Sequence, residues 1–262
     1  MANTNMSSQG PIPNILTPLD FDSEILLAHA FHCDRLRLRM ALADYRNFVK
    51  RRQSGEPVAY ITGTKEFFGH EFEVNPHVLI PRPDTEKLVE VALEKLPKDQ
   101  ELWVIDACTG SGCIAVSLAL ERPRIKIIAT ELSQEAAAVA RRNIKKHGVE
   151  DRVEVLVGHL LNPIPPLGFN LLVSNPPYVK PADMPHLMPN VRNFEPHLAL
   201  QGLGKNGLGH HEEILEKAPS LLKKGAFVLL EIGYDQGCFF KDRARIIQDD
   251  AGNDRVVEVC CG

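Results

Sequence analysis

From residue 102 onward, short and nearly unbroken apolar runs alternate with helical stretches, and few folds tolerate that rhythm. "LWVIDA" (102–107), "IKIIATE" (125–131), "VEVLVG" (153–158), "FNLLVS" (169–174) and "AFVLLEIG" (226–233) read as strands buried on both faces. Between them "CIAVSLALE", "SQEAAAVARRNIKKHG" and "HHEEILEKAPSLLKKG" read as helices, the second capped by Ser133 and ended by Gly148. Such alternation requires a parallel sheet covered by helices on both sides. The end of the chain breaks the pattern: "ARIIQ" and "RVVEV" flank a polar turn at Asp249–Asp254 and pair best as an antiparallel hairpin.

The upstream third has a different grammar. Residues 22–53 read as two helices. Asp22 or Ser23 is placed to cap the first, with Leu26, Leu27, Ala30 and Phe31 as its apolar face; Leu42, Tyr45, Phe48 and Val49 recur at helical spacing in the second. "EFFGHEFEV" (66–74) alternates around Gly69-His70 and reads as a hairpin. Pro81 and Pro83 then break regular structure, and a helix begins near Asp84.

Two stretches within the alternating region carry chemistry. Gly110-Ser111-Gly112-Cys113-Ile114-Ala115 satisfies G-x-G-x-x-A, with Glu131 at the end of the next strand, where a carboxylate accepts from both ribose hydroxyls. The loop alone fits either a dinucleotide such as NAD or S-adenosylmethionine. Asp106, ending the first strand, repels a pyrophosphate and suits a ligand bearing an ammonium and a sulfonium, which favours the methyl donor. The second stretch is Asn175-Pro176-Pro177-Tyr178, after the fourth strand. The prolines fix two φ angles and remove two backbone donors, leaving carbonyls that only accept. Asn175 adds an amide oxygen and Tyr178 a flat face. The set suits a planar NH₂ group, whose two hydrogens are accepted by Asn175 and a backbone carbonyl while its plane stacks on Tyr178.

Composition narrows the class. A formal net charge of −4 over 262 residues argues against a protein that grips nucleic acid by neutralising phosphates. The six cysteines form no C-x-x-C pair and fit a reduced, cytoplasmic setting, and His210-His211-Glu212-Glu213 lacks the spacing of a zinc-binding helix. No apolar stretch is long enough to cross a bilayer, and the first residues lack a signal-peptide core. We therefore expect no metal, no membrane and no stable nucleic-acid partner.

Asn-Pro-Pro-Tyr on this scaffold resembles the amino-methyltransferases, which act on adenine N6, guanine N2 or glutamine side chains. Further stretches resemble the PrmC/HemK family, the protein-(glutamine-N5) methyltransferases of peptide-chain release factors: "GEPVAYITGTKEFFGHEFEVNPHVLIPRPDTEKLVE" (55–90), "DACTGSGCIAVSLALERP" (106–123), "LLVSNPPYVKP" (171–181), "VRNFEPHLAL" (191–200) and "AGNDRVVEV" (251–259). The resemblance implies a Rossmann-like class I methyltransferase domain. Its mostly parallel seven-stranded sheet would end in the antiparallel hairpin and be preceded by a small helical domain and a β-hairpin linker. The boundaries it implies are a disordered tail over 1–18, the helical domain over 19–64, the linker over 65–83 and the catalytic domain over 84–262. With it we expect S-adenosylmethionine to be held by Asp106, Cys108, Thr109, Gly110, Ser111, Gly112, Glu131, Leu160 and Asn175, the substrate glutamine by Asn175, Pro176, Pro177 and Tyr178, and the catalytic residues to be Asn175, Pro176 and Tyr178. The partner implied is a class 1 release factor, recognised with help from the N-terminal helices. Rival readings are a nucleic-acid amino-methyltransferase and, on the glycine loop alone, an NAD-dependent oxidoreductase. Four features depart from the family pattern. Cys108 stands where a glycine is usual, and His159 where an aspartate is usual. The helical region is short between Arg39 and Asp44, and "YDQGCFFKDRARIIQ" is short for a crossover helix.

Overall fold

The structure, a computed structural model, describes residues 21–262, so the tail expected over 1–18 lies outside the described residues. The described chain divides into two compact units between Glu56 and Pro57. The first holds α1 (Phe21–Ala30) and α2 (Arg35–Gln53). Asp34 caps α2 by accepting from Arg37 N at 2.8 Å. The apolar face expected on α1 is not the buried one. Leu26 and Phe31 are exposed, whereas Ala28 and Glu24 are buried, the Glu24 carboxylate held by Arg35 and Arg39 of α2 at 2.7 and 2.8 Å. Asp22 and Ser23 lie within the first turn of the described helix.

The second unit opens with α3 (Val58–Thr62) and the hairpin of β1 (Thr64–Phe67) and β2 (His70–Glu73), where the alternation around Gly69 placed it. Then follow α4 (Pro83–Lys95), β3 (Trp103–Ala107), α5 (Cys113–Glu121), β4 (Lys126–Glu131), α6 (Gln134–Lys146), β5 (Val153–Val157) and β6 (Phe169–Ser174). A short α7 (Pro189–Arg192), α8 (Gly209–Lys217), β7 (Leu222–Glu231), β8 (Arg245–Gln248) and β9 (Asp254–Cys260) complete the chain. Seven strands form one sheet in the order β5-β4-β3-β6-β7-β9-β8, parallel except for β9, which runs antiparallel to both neighbours. This is the expected α/β class I methyltransferase architecture.

The period of two along each strand divides the core. Val104, Ile127, Leu171, Val173 and Leu229 face one side and pack with α4 and α5. Ile105, Ile128, Leu172, Val228 and Leu230 face the other and pack with Leu208 and Ile214 of the α8 region. Each such fully buried side chain contributes about 1.5–3 kcal/mol of transfer free energy.

Two elements end where the apolar pattern did not predict. The helix expected over 210–225 stops at Lys217, because Pro219 cannot continue it; a 3₁₀ turn at Ala218–Ser220 follows and β7 begins at Leu222. Between β7 and β8 there is no α-helix, only a 3₁₀ turn at Gly237–Phe239. No helix among the described residues is long and apolar enough to cross a membrane, and none of their His, Cys, Asp and Glu side chains cluster as a metal site.

Candidate active site

β3 and β6 pair in parallel at the centre of the sheet, and Ser174 Oγ donates to Ala107 O at 2.6 Å, tying their carboxyl ends together. Ligands of open α/β sheets bind at such an edge. A cleft opens there, walled by Cys108–Ser111 after β3, Glu131–Ser133 after β4, Gly158–Leu160 after β5, and Asn175 and Pro177 after β6. Val78, Leu79, Arg82 and Thr85 close it from the segment leading into α4.

The glycine loop is held from below. Thr109 Oγ1 donates to Asp106 Oδ2 at 2.6 Å, and Thr109 N donates to Thr130 O at 2.9 Å. Cys108, Gly110 and Gly112 have φ of 59°, 55° and 82°, in the left-handed region. Cysteine at that φ carries strain that glycine avoids, so tolerance of Cys108 comes at a conformational cost. Asp106 corrects the expected contact set. Its side chain is fully buried beneath the loop, outside the cleft lining, where desolvation pushes the carboxyl up to about 7 against the pull of the Thr109 hydroxyl. Gly112 does not line the cleft either; it caps α5, and a Cβ there would stand 3.3 Å from Ala140 Cβ, so it allows α5 and α6 to approach.

Glu131 does line the cleft. Its Oε2 accepts from Gly110 N and its Oε1 from Ser133 N, both at 3.0 Å. Burial raises its pKa while these backbone donors lower it. Each oxygen retains a lone pair for a ligand hydroxyl. Leu160 sits in the left-handed region at φ 45° and is buried against the same cleft. Beside it His159 Nδ1 lies 3.1 Å from Glu213 Oε1, with the His210 ring 6.1 Å away.

At the elbow, Asn175 Nδ2 donates to Thr85 Oγ1 at 3.2 Å. Pro176 is buried and Pro177 lines the cleft. Tyr178 differs from the expected stacking platform. It is absent from the lining, and its hydroxyl donates to Glu231 Oε1 at 3.2 Å on the far side of the elbow. Burial and the adjacent Glu231 carboxylate raise its pKa well above the usual tyrosine value. Gln236 braces the elbow: its Nε2 donates to Tyr178 O at 3.0 Å and Asn206 O at 2.8 Å, and its Oε1 accepts from Gly233 N at 2.8 Å.

Several of these partners do not emerge from local motifs. Thr85, Glu231, Gln236 and the Arg82–Glu195 pair at 2.5 Å are the main ones. Glu195 also accepts from Ile80 N at 3.2 Å, so the "LIPRP" and "NFEP" stretches meet as one wall. Their joint presence in the resemblance was the available signal.

Comparison with known proteins places this geometry. The family model "PrmC N-terminal domain" matches residues 19–63, and "Methyltransferase small domain" matches 85–191. The release factor glutamine methyltransferase of Moorella thermoacetica is 40% identical over 252 residues, 89% of this chain and 88% of that protein. That of Geobacter sulfurreducens is 41% identical over 253 residues, 90% of this chain and 87% of its own. The chain belongs to the release factor glutamine methyltransferase family. Among solved structures, a methyltransferase from Pyrococcus furiosus aligns with TM-score 0.55 at 19% identity, over 82% of this chain and 97% of that one, a likeness of fold.

As a member of this family the chain is a methyltransferase that uses S-adenosylmethionine. The cleft suits that donor. Among the described lining residues the one side chain of fixed positive charge, Arg82, is held by Glu195, leaving no cation for a diphosphate, whereas Glu131 and the glycine backbone suit a nucleoside. In this family member Glu131→Ala is expected to weaken S-adenosylmethionine binding by about 1.5–3 kcal/mol, the scale of hydrogen bonds to a charged acceptor. Titration calorimetry checks this; unchanged affinity removes Glu131 from the cofactor contacts.

Proposed function

We propose that the chain methylates the side-chain amide nitrogen of the glutamine in the Gly-Gly-Gln motif of a class 1 peptide-chain release factor, in the cytoplasm. When bound, S-adenosylmethionine supplies an electrophilic methyl group on a sulfonium. Cys108–Ser111, Glu131 and Leu160 hold the donor. Asn175 Oδ1 and the carbonyl of Pro176 accept the two amide hydrogens, fixing the plane of a nitrogen whose lone pair is otherwise delocalised. Catalysis is then orientation plus stabilisation of positive charge developing on that nitrogen, which gives up one of its two protons to solvent and ends as a neutral N-methyl amide. Tyr178 keeps the elbow in place from behind.

The observation that carries this reading is the position of the Asn175 amide, in the same cleft as Glu131 and the glycine loop. The names of the relatives supply the class of acceptor. A glutamine between two glycines extends from a flexible loop into a narrow cleft, so affinity must come from a second surface, which we assign to the helices of residues 22–53. Six free cysteines among the described residues agree with a reducing compartment.

The test is to incubate purified release factor with the protein and S-adenosylmethionine and to fragment the loop peptide by mass spectrometry. A methyl group on the loop glutamine is the expected result. Methylated DNA or RNA with an unmodified release factor in the same mixture would replace this reading with a nucleic-acid amino-methyltransferase.

A further inference from the structure

The cleft needs one particular face of the Asn175 amide, and an amide has two. If Oδ1 faces the acceptor it receives an N–H; if Nδ2 faces it, two donors meet and binding fails. Asn175 alone has no preference between these orientations. The selection must come from what lies behind it.

Behind it stands Thr85, in the first turn of α4, 3% exposed, its Oγ1 at 3.2 Å from Asn175 Nδ2. Next to Thr85 stands the carboxyl group of Glu231, at the end of β7 and 1% exposed. Glu231 Oε1 accepts from the Tyr178 hydroxyl at 3.2 Å, while Oε2 is buried with no hydrogen-bond partner among the described residues. A buried acceptor without a donor costs about 1–3 kcal/mol, and the neighbouring Thr85 hydroxyl has one proton to give. Burial pushes the Glu231 carboxyl up to about 7, so it is ionised above that pH, and an ionised carboxylate only accepts. Thr85 therefore gives its proton to Glu231 and keeps only lone pairs for Asn175. Those lone pairs draw Nδ2 toward Thr85 and turn Oδ1 to the cleft.

We infer that Thr85 and Glu231 are positioning residues that set the polarity of a hydrogen-bond chain, Asn175 to Thr85 to Glu231, and so fix which amide atom the methyl acceptor meets. Glu231 serves both ends of the elbow: through Thr85 it orients Asn175, and through the Tyr178 hydroxyl it anchors the residue three positions on. The inference rests on the proposed role of Asn175 Oδ1.

The test compares four variants with the parent in a steady-state assay on release factor, at a pH where Glu231 is ionised. Thr85→Val keeps the shape of threonine and removes the hydroxyl. It should lower kcat by about tenfold or more, with KM for release factor and Kd for S-adenosylmethionine within about twofold, because the lost interaction orients the reacting group. Thr85→Ser restores the hydroxyl and should recover kcat to within about threefold of the parent. Glu231→Met, which keeps the length of the side chain and leaves Thr85 no carboxylate to donate to, should match Thr85→Val. Parental turnover by Thr85→Val overturns the inference, and so does Thr85→Ser being as slow as Thr85→Val, which would make the role one of packing. Asn175→Ala in the same assay separates the two levels. An inactive Asn175→Ala beside a fully active Thr85→Val sinks this inference alone, whereas an active Asn175→Ala sinks the reading on which it stands.

Discussion

Asn175→Ala is expected to slow methyl transfer at least a hundredfold while leaving S-adenosylmethionine affinity within about threefold of the parent. The side chain follows the end of β6, lines the cleft and gives its Nδ2 to Thr85. Removing one preorganised polar contact to a group that develops charge in the transition state costs about 10²–10³ in kcat. A loss of binding that is uniform between ground and transition states would raise KM and leave kcat unchanged. The expected split is therefore the reverse of that for Glu131→Ala, which weakens the donor's binding. Transfer of radiolabelled methyl at saturating donor, with calorimetry on the same preparation, distinguishes them. Normal turnover by Asn175→Ala would leave the elbow a purely structural turn.

How much of this could be read from the chain depends on how far apart the partners lie. The parallel strands were legible because burial on both faces makes them continuous apolar runs, and the C-terminal hairpin because Asp249–Asp254 is a polar turn between two such runs. The glycine loop, Glu131 and Asn175 were legible because each follows its strand directly. Where charge replaces apolarity the pattern failed: Glu24 is buried in α1 beside Ala28 because two arginines from α2 satisfy it, and periodicity alone cannot show a paired carboxylate. The supports of the site were hidden for another reason. Thr85 is 90 residues from Asn175, Arg82 is 113 from Glu195, and Gln236 is 58 from Tyr178. Only the folded sheet brings these pairs together. Asp106 shows the opposite limit. Its place in the chain beside the loop was right, but the chain could not reveal that its carboxyl points under the loop and holds Thr109 there.

The same hidden layer gives the largest expected effect on stability. Gly207→Ala should destabilise the protein by about 2–5 kcal/mol, combining left-handed backbone strain of about 1–2 kcal/mol with overpacking of about 1–3 kcal/mol. Gly207 has φ 76°, and a Cβ added there would stand 2.3 Å from Tyr178 O and 3.2 Å from Lys180 N. The obstructing atoms are backbone, so no side-chain rotation relieves the clash. Tyr178 O is moreover committed to Gln236 Nε2, and the next residue is pinned on both sides, Val179 N donating to Leu200 O and Gly202 N to Val179 O, each at 2.9 Å. The elbow must move as a body, which carries Asn175 away from Thr85. The variant should therefore unfold at a lower temperature and, below that temperature, transfer methyl groups at least tenfold more slowly. Gly225→Ala is the control: it has a similar φ of 79° but open space around the added Cβ, so it incurs backbone strain without the clash and without touching the elbow. Thermal unfolding and turnover of the two variants side by side check the account. Equal loss of stability in both, with parental turnover by Gly207→Ala, would show that the contact between Gly207 and Tyr178 does not hold the elbow.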